Sequence, residues 1–211
     1  MIDRKFIRYL SIFLIWLFSI SGIIGFLTPE YSEWFLSMTP FNLLLTFLII
    51  LVNIEKFKIQ ILIAVAIPFL LGFITEGLGV NYGLIFGSYA YGENLGIKLW
   101  GVPLMICVNW ALLTMASADV AKLFAKNIVV TSLIGAALMT GLDVVLEVSA
   151  PRFDYWEFEN GVVPLQNYIG WFATAFVAHL GYQSFKIETN KVISLNVLIS
   201  IVVFFTVFLF Y

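Results

Sequence analysis

Charge is scarce in this chain. Asp, Glu, Lys and Arg make up 11% of the 211 residues, against roughly 25% in soluble domains, which leaves too little to coat an ordinary water-facing surface. Cysteine is scarcer: Cys107 stands alone, so an intramolecular disulfide and a cysteine metal cluster are both excluded. The only histidine, His179, has no metal-ligand partners at suitable spacing. A formal charge of −2 is too small to mark nucleic acid or another strongly charged partner.

What fills the space is apolar. Hydrophobic residues reach 62% and arrive in long runs between short charged loops, the pattern of helices that satisfy their own backbone in lipid. We read an all-α integral membrane protein, a bundle of about seven transmembrane helices forming a single polytopic domain over residues 1–211. The expected spans are Phe6–Leu27, Trp34–Asn53, Ile59–Thr75, Val102–Val120, Ile128–Glu147, Pro164–Tyr182 and Val192–Phe210. The first run is too long for a signal-peptide core and is expected to be retained. Pro68 falls inside the third span and is expected to kink it, whereas Pro103 and Pro164 open theirs, where a missing N–H costs nothing.

Basic residues give the orientation. Arg4, Lys5 and Arg8 precede the first span; Lys56 and Lys58, Lys122 and Lys126, and Lys186 and Lys191 fall in the even loops; only Lys98 and Arg152 lie in the odd ones. Nine of the eleven are therefore on one side, which the positive-inside rule assigns to the cytoplasm. The expectation is a multi-pass protein of the cell (cytoplasmic) membrane, with its N-terminus cytoplasmic and its C-terminus outside.

Two long loops, Glu76 to Gly101 and Val148 to Val163, then face outside. The first interleaves seven glycines with Tyr82, Tyr89 and Tyr91. Glycine at that density permits tight turns and a close backbone approach to a ligand, and it equally suits an interfacial linker with anchoring tyrosines. Acids gather at the same end. Asp143 and Glu147 share a helix face at i, i+4 spacing, Glu76 closes the third span, and Asp154, Glu157 and Glu159 follow in the second loop. An ionisable group within a span is costly and marks a functional site by default, which singles out Asp143. Glu76 and Glu147 also read as solvated helix ends, and Glu157 and Glu159 read so preferentially. Asn109, Trp110, Asn167 and Trp171 lie in spans beside the acids, with Trp100 and Trp156 at the loop ends. Aromatic faces stabilise cations; each Trp alone also reads as an interface anchor, and the asparagines as interhelical ties. Gly77 to Gly83 fails as a dinucleotide fingerprint, having no strand and crossover around it.

The ordered motifs Glu76-Gly-Leu-Gly79, Phe86-Gly87-Ser-Tyr89-Ala-Tyr91, Gly101-Val-Pro103-Leu104, Asn109-Trp110, Asp143 to Glu147, Pro151-Arg-Phe-Asp154, Trp156 and Gly161-Val-Val-Pro164 through Asn167 to Trp171 resemble the membrane carotenoid-biosynthesis family that includes bisanhydrobacterioruberin hydratase, a carotenoid 1,2-hydratase. The resemblance implies cofactor-independent addition of water to the terminal double bond of an acyclic carotenoid, with the bilayer holding the polyene. Such chemistry needs an acid, a group that holds water and aromatic walls for a tertiary cation. The expected catalytic residues are Asp143 as donor, with Glu76, Glu147 and Asp154. The expected substrate-binding residues are Tyr82, Tyr89, Tyr91, Asn109, Trp110, Trp156, Asn167 and Trp171. No metal is expected. The alternatives are a lycopene-type cyclase and, from another class, a proton-coupled transporter, because intramembrane acids also carry ions. A prenyltransferase wants clustered carboxylates with basic partners for its diphosphate and magnesium, where Arg152 is nearly alone. A retinal protein wants a lysine that Val192–Phe210 lacks.

Overall fold

The apolar runs become helices. The computed structural model describes residues 3–211, and among these there are eight α-helices: α1 (Arg4–Leu27), α2 (Ser32–Ser37), α3 (Thr39–Val52), α4 (Ile59–Tyr82), α5 (Leu104–Ala121), α6 (Ile128–Leu146), α7 (Leu165–Ser184) and α8 (Lys191–Val207). All eight fall in the seven segments expected to span, with α2 and α3 sharing the second. α1, α4, α5 and α6 are long and apolar enough to cross a membrane, while α3 and α8 are shorter apolar helices. The second expected span is split at Met38, where Pro40 in the first turn of α3 starts a new helix. Side chains of Asp3, Asn127 and Asn190 cap α1, α6 and α8 by accepting from first-turn N–H groups, which fixes those starts.

α5 is buried along nearly its whole length, Thr114, Ser117 and Asp119 included, so it forms the centre of the bundle. α4, α6, α7 and α8 pack around it, and α1 rests on α8. The outer surface of α1 shows Phe13, Leu17, Ile20 and Ile24, an apolar stripe suited to lipid. The helix ends sort into two faces. At one, Arg4 donates to the carbonyl of Val52 at 3.2 Å and Lys122 to that of Ile187 at 2.9 Å. At the other, Arg152 donates to the carbonyl of Phe208 at 2.9 Å, and the Thr39 and Tyr155 hydroxyls meet at 2.9 Å.

The third span does not end at Thr75. α4 continues to Tyr82, so Glu76, Gly77 and Gly79 are helical and the first outer loop begins only at Gly83. Two of its glycines serve packing instead of turning. A Cβ on Gly77 would strike the Trp100 ring, and one on Gly79 would lie 2.8 Å from the Tyr89 ring. Gly83, at φ 65°, ends the helix in the left-handed conformation, its N–H on the carbonyl of Gly79 and that of Leu84 on Leu78, a Schellman-type stop.

The two long loops are also not wholly irregular. β1 (Tyr89–Tyr91) pairs antiparallel with β4 (Trp156–Phe158), setting Tyr91 opposite Trp156 and Tyr89 opposite Phe158. β2 (Lys98–Leu99) and β3 (Val102–Pro103) form a hairpin whose turn residues, Trp100 and Gly101, both have positive φ, as the tight two-residue turn requires. The β1–β4 pair ties the two outer loops together over the bundle end.

Candidate functional site

The β1–β4 ladder alternates inward and outward. Tyr89 and Phe158, and then Trp156, are buried, while Ala90 and Glu157 are exposed. This period of two aims the aromatic side chains down at the ends of α4 and α6. There they meet three carboxyls, Glu76, Asp143 and Glu147, all buried.

Glu76 is held by three donors. Tyr91 Oη lies 2.7 Å and Trp110 Nε1 2.8 Å from its carboxyl oxygens, and Tyr89 Oη donates to the same oxygen as Tyr91. Burial, followed by the charge of Glu76, pushes the Tyr89 and Tyr91 phenols above their ordinary value, so both keep the proton they donate. Asp143 and Glu147 share Asn167: its Nδ2 donates to Asp143 Oδ2 at 2.8 Å and to Glu147 Oε1 at 3.2 Å. Trp156 Nε1 donates to Glu147 Oε2 at 3.0 Å. Asp143 Oδ1 is buried and has no hydrogen-bond partner among the described residues.

Between Glu76 and Glu147 lies a cavity of about 20 Å³, walled by the Tyr89, Tyr91, Trp156 and Phe158 side chains above and by Trp110, Trp171 and Phe86 beside them. That is room for one water molecule. Trp110 and Trp171 stack at 4.4 Å between centroids, and Phe86 leans on both at 6.3 and 6.4 Å. A second, apolar cavity of about 380 Å³ lies beside the first, between α1, α2, α3, α5, α6 and α8. Asn109 and Trp156 belong to the walls of both cavities.

The structure thus brings together Glu76, Asp143, Glu147, Tyr89, Tyr91, Asn109, Trp110, Trp156, Asn167 and Trp171. It does not bring in Asp154 or Tyr82. Asp154 is exposed, turns at φ 51° and accepts from the Glu93 N–H at 2.8 Å, a local role in joining the loops. Tyr82 is 65% exposed and touches the edge of Trp100. Asp143, the expected donor, lies behind Asn167 and is not on the cavity wall, a position that falls to Glu147. Phe86, Ile106 and Phe158 complete the wall; Phe86 opens one of the family-like motifs without being singled out as a site residue, Ile106 carries no signal beyond being apolar, and for Phe158 the alternation Trp-Glu-Phe is the one available hint.

The remaining charges face elsewhere. Lys98 pairs with Glu93 at 2.8 Å and Arg152 is committed to Phe208. At the opposite end, His179 is buried against Ser117 at 3.0 Å and Gln183 at 3.4 Å, a hydrogen-bonded packing role well away from the acids. A family model described as carotenoid biosynthesis protein matches residues 38–211. No curated protein and no solved structure matches the chain.

Proposed function

Because this chain belongs to the carotenoid biosynthesis protein family, it is a membrane protein with a part in making carotenoids, and we propose that it is a hydratase, adding water to the terminal double bond of an acyclic carotenoid end. The observation that carries this reading is the water-sized cavity between Glu76 and Glu147, walled by aromatic faces and adjoining a large apolar space.

In this reading Asp143 and Glu147 hold one proton between them. Two carboxylates sharing one amide donor in an apolar end of the bundle repel each other, and a single proton removes the repulsion. The end group enters by displacing the side chains of Asn109 and Trp156, which line both cavities, and Glu147, on the wall, delivers that proton to its second carbon. The electron pair of the double bond forms the new C–H bond and leaves a tertiary cation on the first carbon. Trp110, Trp171 and Phe86 line the cavity and are the aromatic rings that stabilise that charge. Glu76, fixed by its three donors, accepts a hydrogen bond from the water and aims its oxygen at the cation. As the C–O bond forms, the surplus proton returns to Glu147 and the site is regenerated.

A lycopene-type cyclase shares the protonation step, but its cation is captured by a carbon of the same chain, and space for water beside the acids works against it. The product mass separates the two. Purified protein incubated with lycopene is expected to yield a product heavier by one water; a product of unchanged mass means ring closure and overturns the hydratase reading. A diphosphate-using reaction is disfavoured by Lys98 and Arg152, which are both engaged away from the acids.

We place the acid-bearing end outside the cell membrane and the lysine-bearing end in the cytoplasm, in a multi-pass arrangement supported by the basic residues. Cys107, the only native thiol, is buried, so introduced cysteines report cleanly. In intact cells a membrane-impermeant maleimide is expected to label Glu159→Cys and to spare Lys126→Cys until the membrane is broken. The reverse pattern would invert the orientation.

A further inference from the structure

The family match begins at residue 38, so α1 and α2 lie outside it. These two helices nevertheless supply much of the apolar cavity: Phe18, Ser19, Ser21 and Phe26 from α1, Trp34 and Phe35 from α2. Facing them are residues of α3, α5 and α8 that the match does cover. The cavity therefore has one wall within the family region and another contributed by the chain's first helices.

We propose that this cavity holds the polyene next to the reacting end and that α1 and α2 form the wall selecting which acyclic carotenoid is accepted. This rests on the hydratase reading for the reaction but on separate residues for the selection. Three observations carry it. The cavity shares Asn109 and Trp156 with the acid site, so whatever fills it lies against the wall of the carboxyl-lined cavity. Its about 380 Å³ is far more than a terminal group needs. Its lining is mostly aliphatic and aromatic, with scattered hydroxyls already engaged: Ser21 Oγ donates to the Phe18 carbonyl at 3.2 Å and Ser19 Oγ to the Ser200 carbonyl at 3.4 Å. A long hydrocarbon fits such a lining, and a charged or heavily hydroxylated molecule does not.

Ser19 and Ser21 are small positions of this wall, beside Gly22, and a larger side chain at either serine takes space from the chain-bearing cavity while leaving the carboxyls untouched. Lycopene and citronellol, a short terpene with the same dimethyl-alkene end, serve as long and short probes. In Ser19→Leu, and separately in Ser21→Leu, the ratio of kcat/KM for lycopene to that for citronellol is expected to fall at least about tenfold, through KM for lycopene. Ile20→Phe, on the lipid-facing side of α1, is expected to leave the ratio unchanged. Lycopene quenching of tryptophan emission supplies a readout independent of turnover, and is expected to weaken in both serine variants.

An unchanged ratio and unchanged quenching in both folded serine variants would overturn the assignment, leaving the cavity to a bilayer acyl chain. Weakened quenching with no hydrated product even from wild type would uphold the cavity assignment and overturn the hydratase reading instead.

Discussion

Glu147→Gln is expected to lower kcat for hydration by about 10²–10⁴-fold, the usual contribution of a positioned general acid, with KM for the carotenoid near that of wild type. The substitution keeps the side chain's length and its contacts with Trp156 and Asn167, but an amide cannot deliver the proton. One of the two contacts becomes a meeting of donors, a loss of about 1 kcal/mol, which folding tolerates. Single-turnover kinetics in detergent, with size-exclusion elution as the fold check, reads the effect. A folded Glu147→Gln enzyme with wild-type turnover would remove Glu147 from the chemistry.

Glu76→Leu is expected to be the most destabilising single change at this site, by about 3–5 kcal/mol. The reason is what the substitution leaves behind. Trp110 Nε1 and the Tyr89 and Tyr91 hydroxyls all point at the Glu76 carboxyl, and each buried donor left without an acceptor costs about 1–3 kcal/mol. The total falls short of three full penalties because hydroxyls rotate to new partners, whereas the indole N–H cannot. Replacing a buried polar cluster wholesale by apolar residues is often neutral; removing only the acceptor is not. Glu76→Gln, which retains one acceptor oxygen, is expected to lose about 1–2 kcal/mol. Denaturant unfolding in detergent, followed by tryptophan emission, compares the three proteins. Equal midpoints for Glu76→Leu and wild type would show that the three donors find other acceptors.

The helices were legible in the sequence because lipid demands long apolar runs, and runs can be counted without knowing what packs on what. Local structure at the outer end was less so. Gly77 and Gly79 read as loop residues on conformational grounds, yet they lie in α4 and are glycine because the Trp100 and Tyr89 rings need their bare faces. That requirement comes from residues ten and more positions away and leaves no local trace. β1 and β4 are three residues each, too short for alternation to stand out, and pairing joins segments from opposite ends of the middle of the chain.

The acids were found by type and depth, but depth did not say which one faces the cavity. Asp143 is the deeper, and Asn167 stands between it and the wall, so Glu147 takes the exposed position in the site. Asp154 shares a loop with this cluster and the chemistry of its members, but its left-handed backbone turns it onto Glu93. Tyr82 was grouped with Tyr89 and Tyr91 by sequence proximity; the helix that extends to include it points it outward instead.

Hydration through a protonated end group leaves a mark that no cyclase or transporter leaves. Purified protein given lycopene in heavy-oxygen water is expected to form a tertiary alcohol with the heavy oxygen on the first, dimethyl-bearing carbon, and in deuterium oxide the same alcohol with one deuterium on the second carbon. Both labels at those carbons, lost together in Glu147→Gln, are the expected result. A product with deuterium but no solvent oxygen, or no labelled product at all from active, folded protein, would contradict it.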